Sequence, residues 1–178
     1  MTKQEVRTLI KERSKQFDPI EKEKADQGIC HQVIESLRYK EAQTIFCYVS
    51  TSNEVNTWPI IAKAFEDGKT VTVPLCVGKG IMEARTIQSL NDLKKGAYGI
   101  MEPEERCGKI SKDQIDLAII PCVGADKEGR RLGHGAGFYD RFLHETHFFK
   151  MMVCYERFML EKVPTEEHDI MMDQVICE

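Results

Sequence analysis

The spacing of apolar and polar positions changes several times along the chain, and those changes outline alternating helices and strands. Thr2-Lys-Gln-Glu5 reads as a capping box that opens an amphipathic helix running to about Phe17. Asp18-Pro19-Ile20-Glu21 repeats the signal: an N-cap, proline at the first helical position and an acid in the first turn. The helix after it is expected to turn Val33, Ile34 and Leu37 inward. At Thr44-Ile-Phe-Cys-Tyr-Val49 the pattern becomes that of a short buried strand. Asn56-Thr-Trp-Pro59 predicts another helix start and Gly68 its end. Residues 70–73 form the next expected strand, ended by Pro74, with further strands at 82–86, 116–120, 151–155 and 174–177. Strands alternating with helices need crossover connections, so we expect one α/β domain over residues 1–178, its largely parallel sheet covered on both faces.

Composition narrows the class. The chain has 178 residues, 42% of them hydrophobic and 30% charged, enough to bury a core without disulfides or structural metal. A net charge of −4 argues against nucleic acid as the main partner. The first residues lack the apolar core of a signal peptide, and no apolar run approaches the roughly 20 residues of a membrane span. Seven scattered cysteines without a C-x-x-C pair suit reduced thiols, so a cytoplasmic setting is expected.

The richest chemistry lies in Gly129-Arg-Arg-Leu-Gly-His-Gly-Ala-Gly-Phe-Tyr-Asp140, which follows the apolar run at 116–121 and leads into an amphipathic stretch. Strand, glycine-rich turn and helix start together aim backbone N–H groups at an anion. A plain connection would need one or two glycines; four, interleaved with Arg130, Arg131 and His134, point to anion binding. Asp140 reads as a first-turn acid or as a magnesium ligand beside phosphates. The loop lacks the dinucleotide-fold glycine spacing, and Gly68-Lys-Thr70 lacks the first glycine of a P-loop.

Other segments stay open between a bland and a functional reading. Lys3, Arg7, Lys11 and Lys15 recur at i+4, where like charges repel; they form either a solvated face or a row bridged by an anion. Pro164-Thr-Glu-Glu-His-Asp169 is a solvated acidic loop or brings a second carboxylate to a metal. Glu54 and Asn56 follow the strand at 44–49, where open α/β sheets place ligands, although Asn56 also suits an N-cap. His144-x-x-His147 is set aside as incidental surface.

These motifs, in this order, resemble the 5-formyltetrahydrofolate cyclo-ligase family. The matches include Lys3-x-x-Val-Arg7, Tyr48-Val-Ser…Glu54-Val-Asn-Thr57, Gly99-Ile-x-Glu-Pro103, residues 116–121, Gly129-x-Arg-Leu-Gly-x-Gly-x-Gly-x-Tyr-Asp-Arg141 and Pro164-x-Glu-x-His-Asp169. The resemblance implies a three-layer α/β/α fold. It also implies ATP- and Mg2+-dependent closure of 5-formyltetrahydrofolate to 5,10-methenyltetrahydrofolate, with ADP and phosphate released. By that resemblance Lys3, Arg7, Arg131, Leu132, Gly133, His134, Gly135, Ala136, Gly137, Phe138 and Tyr139 hold ATP. Thr51, Glu54, Asn56 and residues His134 to Phe138 face the reduced folate. Arg131 and His134 act in catalysis, and Asp140 and Asp169 bind magnesium. ATP and the folate are then the expected partners of a monomer, with no nucleic acid and no membrane. The chain departs from the family pattern at Cys122, His134, Ala136, Phe138 and Phe158. Those departures keep a competing reading in view, a catalytically silent paralogue that only binds nucleotide or folate.

Overall fold

Local signals at the amino terminus form as the sequence predicts. In this computed structural model, which describes residues 1–178 apart from the side chain of Ala97, the Thr2 hydroxyl accepts from the Glu5 amide at 3.2 Å. The Glu5 carboxylate in turn accepts from the Thr2 amide at 2.6 Å, completing the capping box of α1 (Lys3–Lys15). Asp18 caps α2 (Pro19–Glu35) through the Glu21 amide. One inward-facing expectation fails here. Ser36 ends α2 and caps a separate short helix, α3 (Leu37–Glu41), accepting from the Tyr39 amide while donating to the Val33 carbonyl. That break rotates Leu37 into solvent, whereas Val33 stays fully buried.

Next come β1 (Thr44–Cys47), α4 (Trp58–Glu66), β2 (Thr70–Gly78) and β3 (Ile81–Ile87). The Gly68 and Lys69 amides return to the Phe65 and Ala64 carbonyls and close α4, as Gly68 predicted. Pro74 does not end its strand. β1 pairs with β2 only as far as Thr72, so nothing on that side needs a proline N–H. On the other side Pro74 faces Ala84, whose carbonyl bonds to the Ile110 amide instead. A small hairpin, β4 (Leu93–Lys95) with β5 (Met101–Pro103), precedes β6 (Leu117–Ile120).

After β6 the chain makes a second hairpin, β7 (Gly124–Asp126) and β8 (Arg131–Leu132), before α5 (Phe138–Leu143). β9 (Phe149–Val153), β10 (Met159–Leu160) and β11 (Gln174–Ile176) complete the chain. The main sheet has the order β11-β9-β6-β1-β2-β3, parallel except for β3 at one edge. Both faces are covered, as expected. Phe46 of β1 packs against Phe142 of α5 on one face, with ring centroids 4.7 Å apart. Its neighbour Cys47 turns to the other face beside Cys30 of α2. Burial on both sides leaves β6 without a polar position, its four residues all buried.

This topology also creates the crevice. From β1 the chain crosses through α4 to β2 on one side, while β6 pairs with β1 on the other. Loops leaving the carboxyl ends of β1 and β6 therefore diverge, and the gap between them is where open α/β sheets bind ligands.

Candidate active site

A cavity of about 800 Å3 fills that gap. Tyr48, Val49, Thr51, Asn53 and Glu54 enter it from the loop after β1, and Pro121 from the end of β6. The glycine-rich segment from Arg131 to Asp140 forms one wall, α1 adds Lys3 and Arg7, and the carboxyl-terminal segment adds Glu166, His168 and Asp169. Residues at opposite ends of the chain thus meet around one space.

Between β6 and the glycine loop lies the β7–β8 hairpin, so the expected direct passage from strand to turn is corrected. Arg130 and Asp126 pair inside that hairpin, which leaves Arg130 out of the cavity. The helix after the loop has only six residues and no side-chain cap, so its dipole adds little and the loop amides matter more. Gly135 adopts φ +104°, a backbone that side chains avoid, and a Cβ there would sit 3.4 Å from the Arg7 guanidinium. Arg7 Nε donates to the Gly133 carbonyl at 2.9 Å, docking α1 onto the loop.

The basic row on α1 now has a structural reason. Lys3 and Arg7 line the main cavity, and Arg7, Lys11 and Lys15 line an adjoining lobe. Charges that repel along an isolated helix here border a shared cleft. Arg131 is almost buried; its Nη1 donates to the Pro121 carbonyl at 3.0 Å and its Nη2 lies 3.8 Å from Asp140. Its Nε, also buried, has no protein partner.

Glu54 is held by its own loop: one carboxylate oxygen accepts from the Thr51 amide and hydroxyl, each at 2.9 Å. Burial, followed by the nearby Glu54 charge, holds the Tyr48 and Tyr139 phenols well above their ordinary range. Both remain neutral hydroxyls at physiological pH. Asn56 is placed differently from expectation. It lines neither lobe; its side chain accepts from the Trp58 amide at 3.1 Å and its own amide donates to Asp26. Thr57, not Asn56, is the N-cap of α4; Asn56 closes a local turn onto the Trp58 amide just before it, and α4 begins too soon for its side chain to turn back into the cavity.

Asp169 and Asp140 share the cavity wall. Asp169 pairs with Lys3 at 2.7 Å and accepts from the Glu166 amide at 2.7 Å. Burial opposes its ionisation, but Lys3 and that amide outweigh it and hold the carboxyl below its ordinary range. Among the described residues, the cluster with three candidate metal-binding side chains is Glu166, His168 and Asp169, and Asp140 stands outside it. Carboxylate oxygens on the wall of this cavity suit a hard cation such as Mg2+, provided Lys3 shares or yields Asp169. Sequence reasoning missed Tyr48, Asn53, Met82, Tyr98 and Glu102 as lining residues. Asn53 could have been read from its place beside Glu54. Met82 and Tyr98 come from an edge strand and a connection that carry no motif, whereas Glu102 belongs to the Gly99–Pro103 match but had been given no site role.

The family model of 5-formyltetrahydrofolate cyclo-ligase matches residues 1–178. The chain belongs to that family. It is 30% identical to the probable 5-formyltetrahydrofolate cyclo-ligase of Caenorhabditis elegans, covering 99% of this chain and 92% of the relative. The probable enzyme of the same name from Schizosaccharomyces pombe is also 30% identical, over 84% of this chain and 81% of its own. The solved structure of Aquifex aeolicus 5,10-methenyltetrahydrofolate synthetase superposes with a TM-score of 0.88 at 26% identity, covering 98% of this chain and 89% of that one. Thus the cyclo-ligase family and its α/β fold, both expected from the motifs, agree with the comparisons. No helix among the described residues is long and apolar enough to cross a membrane.

Proposed function

We propose that this cyclo-ligase family member converts 5-formyltetrahydrofolate to 5,10-methenyltetrahydrofolate, consuming ATP and releasing ADP and phosphate. A formamide oxygen leaves poorly, so N10 of the folate cannot close the ring by expelling it directly. Transfer of the γ-phosphoryl group to that oxygen forms an imino-phosphate and releases ADP. N10 then attacks the formyl carbon, and phosphate departs with the oxygen. Little covalent chemistry falls to the protein, whose work is to position two substrates and stabilise phosphoryl charge.

The observation that carries this reading is the docking of Arg7 on the Gly133 carbonyl, which puts a cation beside the glycine loop in the cavity that Glu54 also lines. In the proposed complex Lys3, Arg7 and the loop from Arg131 to Tyr139 bind ATP, with Arg131 and His134 nearest the transferred group. Thr51, Glu54 and residues His134 to Phe138 face the folate. Asp140 and Asp169 would hold Mg2+, which when bound neutralises part of the phosphate charge.

The test mixes the protein with 5-formyltetrahydrofolate and Mg-ATP and follows methenyl product by ultraviolet absorbance alongside ADP. The two products should appear together, and chelating magnesium with EDTA should stop both. ATP binding without methenyl product would overturn the enzymatic reading in favour of a silent binding module.

A further inference from the structure

Beside the main cavity, a second lobe of about 560 Å3 opens behind the Thr51–Glu54 loop, and two thiols line it, Cys122 and Cys154. They lie just past the carboxyl ends of the neighbouring parallel strands β6 and β9. β6 and β9 are in register at Ile119–Met151 and Ile120–Met152. Carried two residues on, just past the ends of both strands, that register sets Cys122 opposite Cys154, and a step of two keeps both on one face. Neighbouring strands lie about 4.8 Å apart, within the roughly 4.4–6.8 Å that a disulfide spans between Cα atoms.

Side-chain contacts agree with that placement. The Cys122 thiol donates to the carbonyl of Val153, the residue before Cys154, at 3.4 Å. The Cys154 thiol neighbours that of Cys122, and this contact, then burial, holds Cys154 well above the ordinary thiol range. Cys122 is half-buried and Cys154 buried, so an oxidant in the lobe meets Cys122 first. Cys177, which follows β11, continues the same row beyond Cys154 but does not line the lobe.

We propose that Cys122 and Cys154 are an oxidation-sensitive pair, closed by hydroperoxides into a disulfide across the ends of β6 and β9 that slows the enzyme. In the first step the Cys122 sulfur attacks a peroxide oxygen, the O–O bond breaks, and Cys122 becomes a sulfenic acid while the peroxide leaves as water or an alcohol. Cys154 then attacks the Cys122 sulfur; the S–S bond forms and the hydroxyl leaves as water with the Cys154 proton. Two thiols lose two electrons, and one peroxide gains them. The effect on rate follows from position, because the chain leaving β6 through Cys122 leads into the hairpin that carries the glycine loop.

The test treats the full chain with hydrogen peroxide, alkylates the remaining thiols, and maps disulfide-linked peptides by mass spectrometry. A linked peptide joining Cys122 to Cys154, reversed by dithiothreitol and retained in Cys177→Ser, is the expected result. Methenyl formation should fall several-fold in step with the link and recover on reduction, while Cys122→Ser keeps its own untreated rate after peroxide. The idea is overturned by the absence of the link, by a link between Cys154 and Cys177 instead, or by a link that leaves the rate unchanged. The rate arm rests on the proposed reaction: an untreated protein without turnover would count against that reaction, whereas the peptide map would still decide whether the pair forms.

Discussion

Lys3 and Asp169, near opposite ends of the chain, meet in an ion pair of 2.7 Å that fastens α1 to the carboxyl-terminal wall of the cavity. The Asp169 carboxyl is held below its ordinary value, so the pair stabilises the fold above the unfolded carboxylate pKa of about 3.9 and loses that contribution as pH falls through the lower folded value. Burial opposes the charge on Lys3, but Asp169 and Glu166 outweigh it and raise its pKa, so the pair persists below about 10.4 and fails only as pH rises through the folded value. Lys3→Met should destabilise the protein by about 1–3 kcal/mol at pH 7, because a largely buried carboxylate loses its partner. Urea midpoints of the two proteins should differ at pH 7 and converge in acid. An equal difference at pH 7 and pH 2 would contradict the pairing.

Gly135→Ala is expected to weaken ATP binding more than folding. A Cβ at φ +104° is strained by about 1–2 kcal/mol, which pushes the loop amides out of place, while its 3.4 Å approach to the Arg7 guanidinium is an ordinary contact. Calorimetric titration with a non-hydrolysable ATP analogue should show about a tenfold weaker Kd. An unchanged Kd would place the nucleotide elsewhere in the cleft.

Gly129 belongs to the same motif but has another task. It turns the β7–β8 hairpin with φ +90°, and a Cβ there would lie 2.5 Å from the Met172 carbonyl oxygen. Its own carbonyl accepts from the Met172 amide at 2.9 Å. Gly129→Ala should therefore cost more than about 2 kcal/mol of stability, since backbone rather than a flexible side chain must move. Chemical denaturation measures this directly, and a loss under half that size would mean that the hairpin and carboxyl-terminal segment separate easily.

Asp26 of α2 secures the Thr51–Glu54 loop from behind. It accepts from the Asn56 amide at 3.0 Å and from the Tyr155 hydroxyl, which also lies 3.0 Å from the Glu54 carbonyl. Asp26→Ala leaves the Asn56 amide without its acceptor and leaves Tyr155 only the Glu54 carbonyl, which loosens the loop that carries Glu54. We expect about a tenfold rise in KM for the folate with little change for ATP, and partial rescue in Asp26→Asn, which keeps an acceptor oxygen. Equal rises for both substrates would instead indicate general loosening of the fold.

Much of this protein is written in short-range order. The Thr2 and Asp18 caps, the Gly68 stop and the apolar runs at 44–49 and 116–120 are local signals, because caps and periodicity depend on residues a few positions apart. The cyclo-ligase family was legible for the same reason, its motifs being contiguous. Only the tertiary structure decided what meets what. Leu37 lost its inward place to a break at Ser36, and Pro74 stayed within β2 because no strand paired on its N–H side. Asn56 turned its side chain onto the Trp58 amide rather than into the cavity. Lys3 and Asp169, Cys122 and Cys154, and Asp26 and Tyr155 became partners across long stretches of chain. Those pairings depend on strand order and register, which arise when the whole apolar core packs at once and which no single segment encodes.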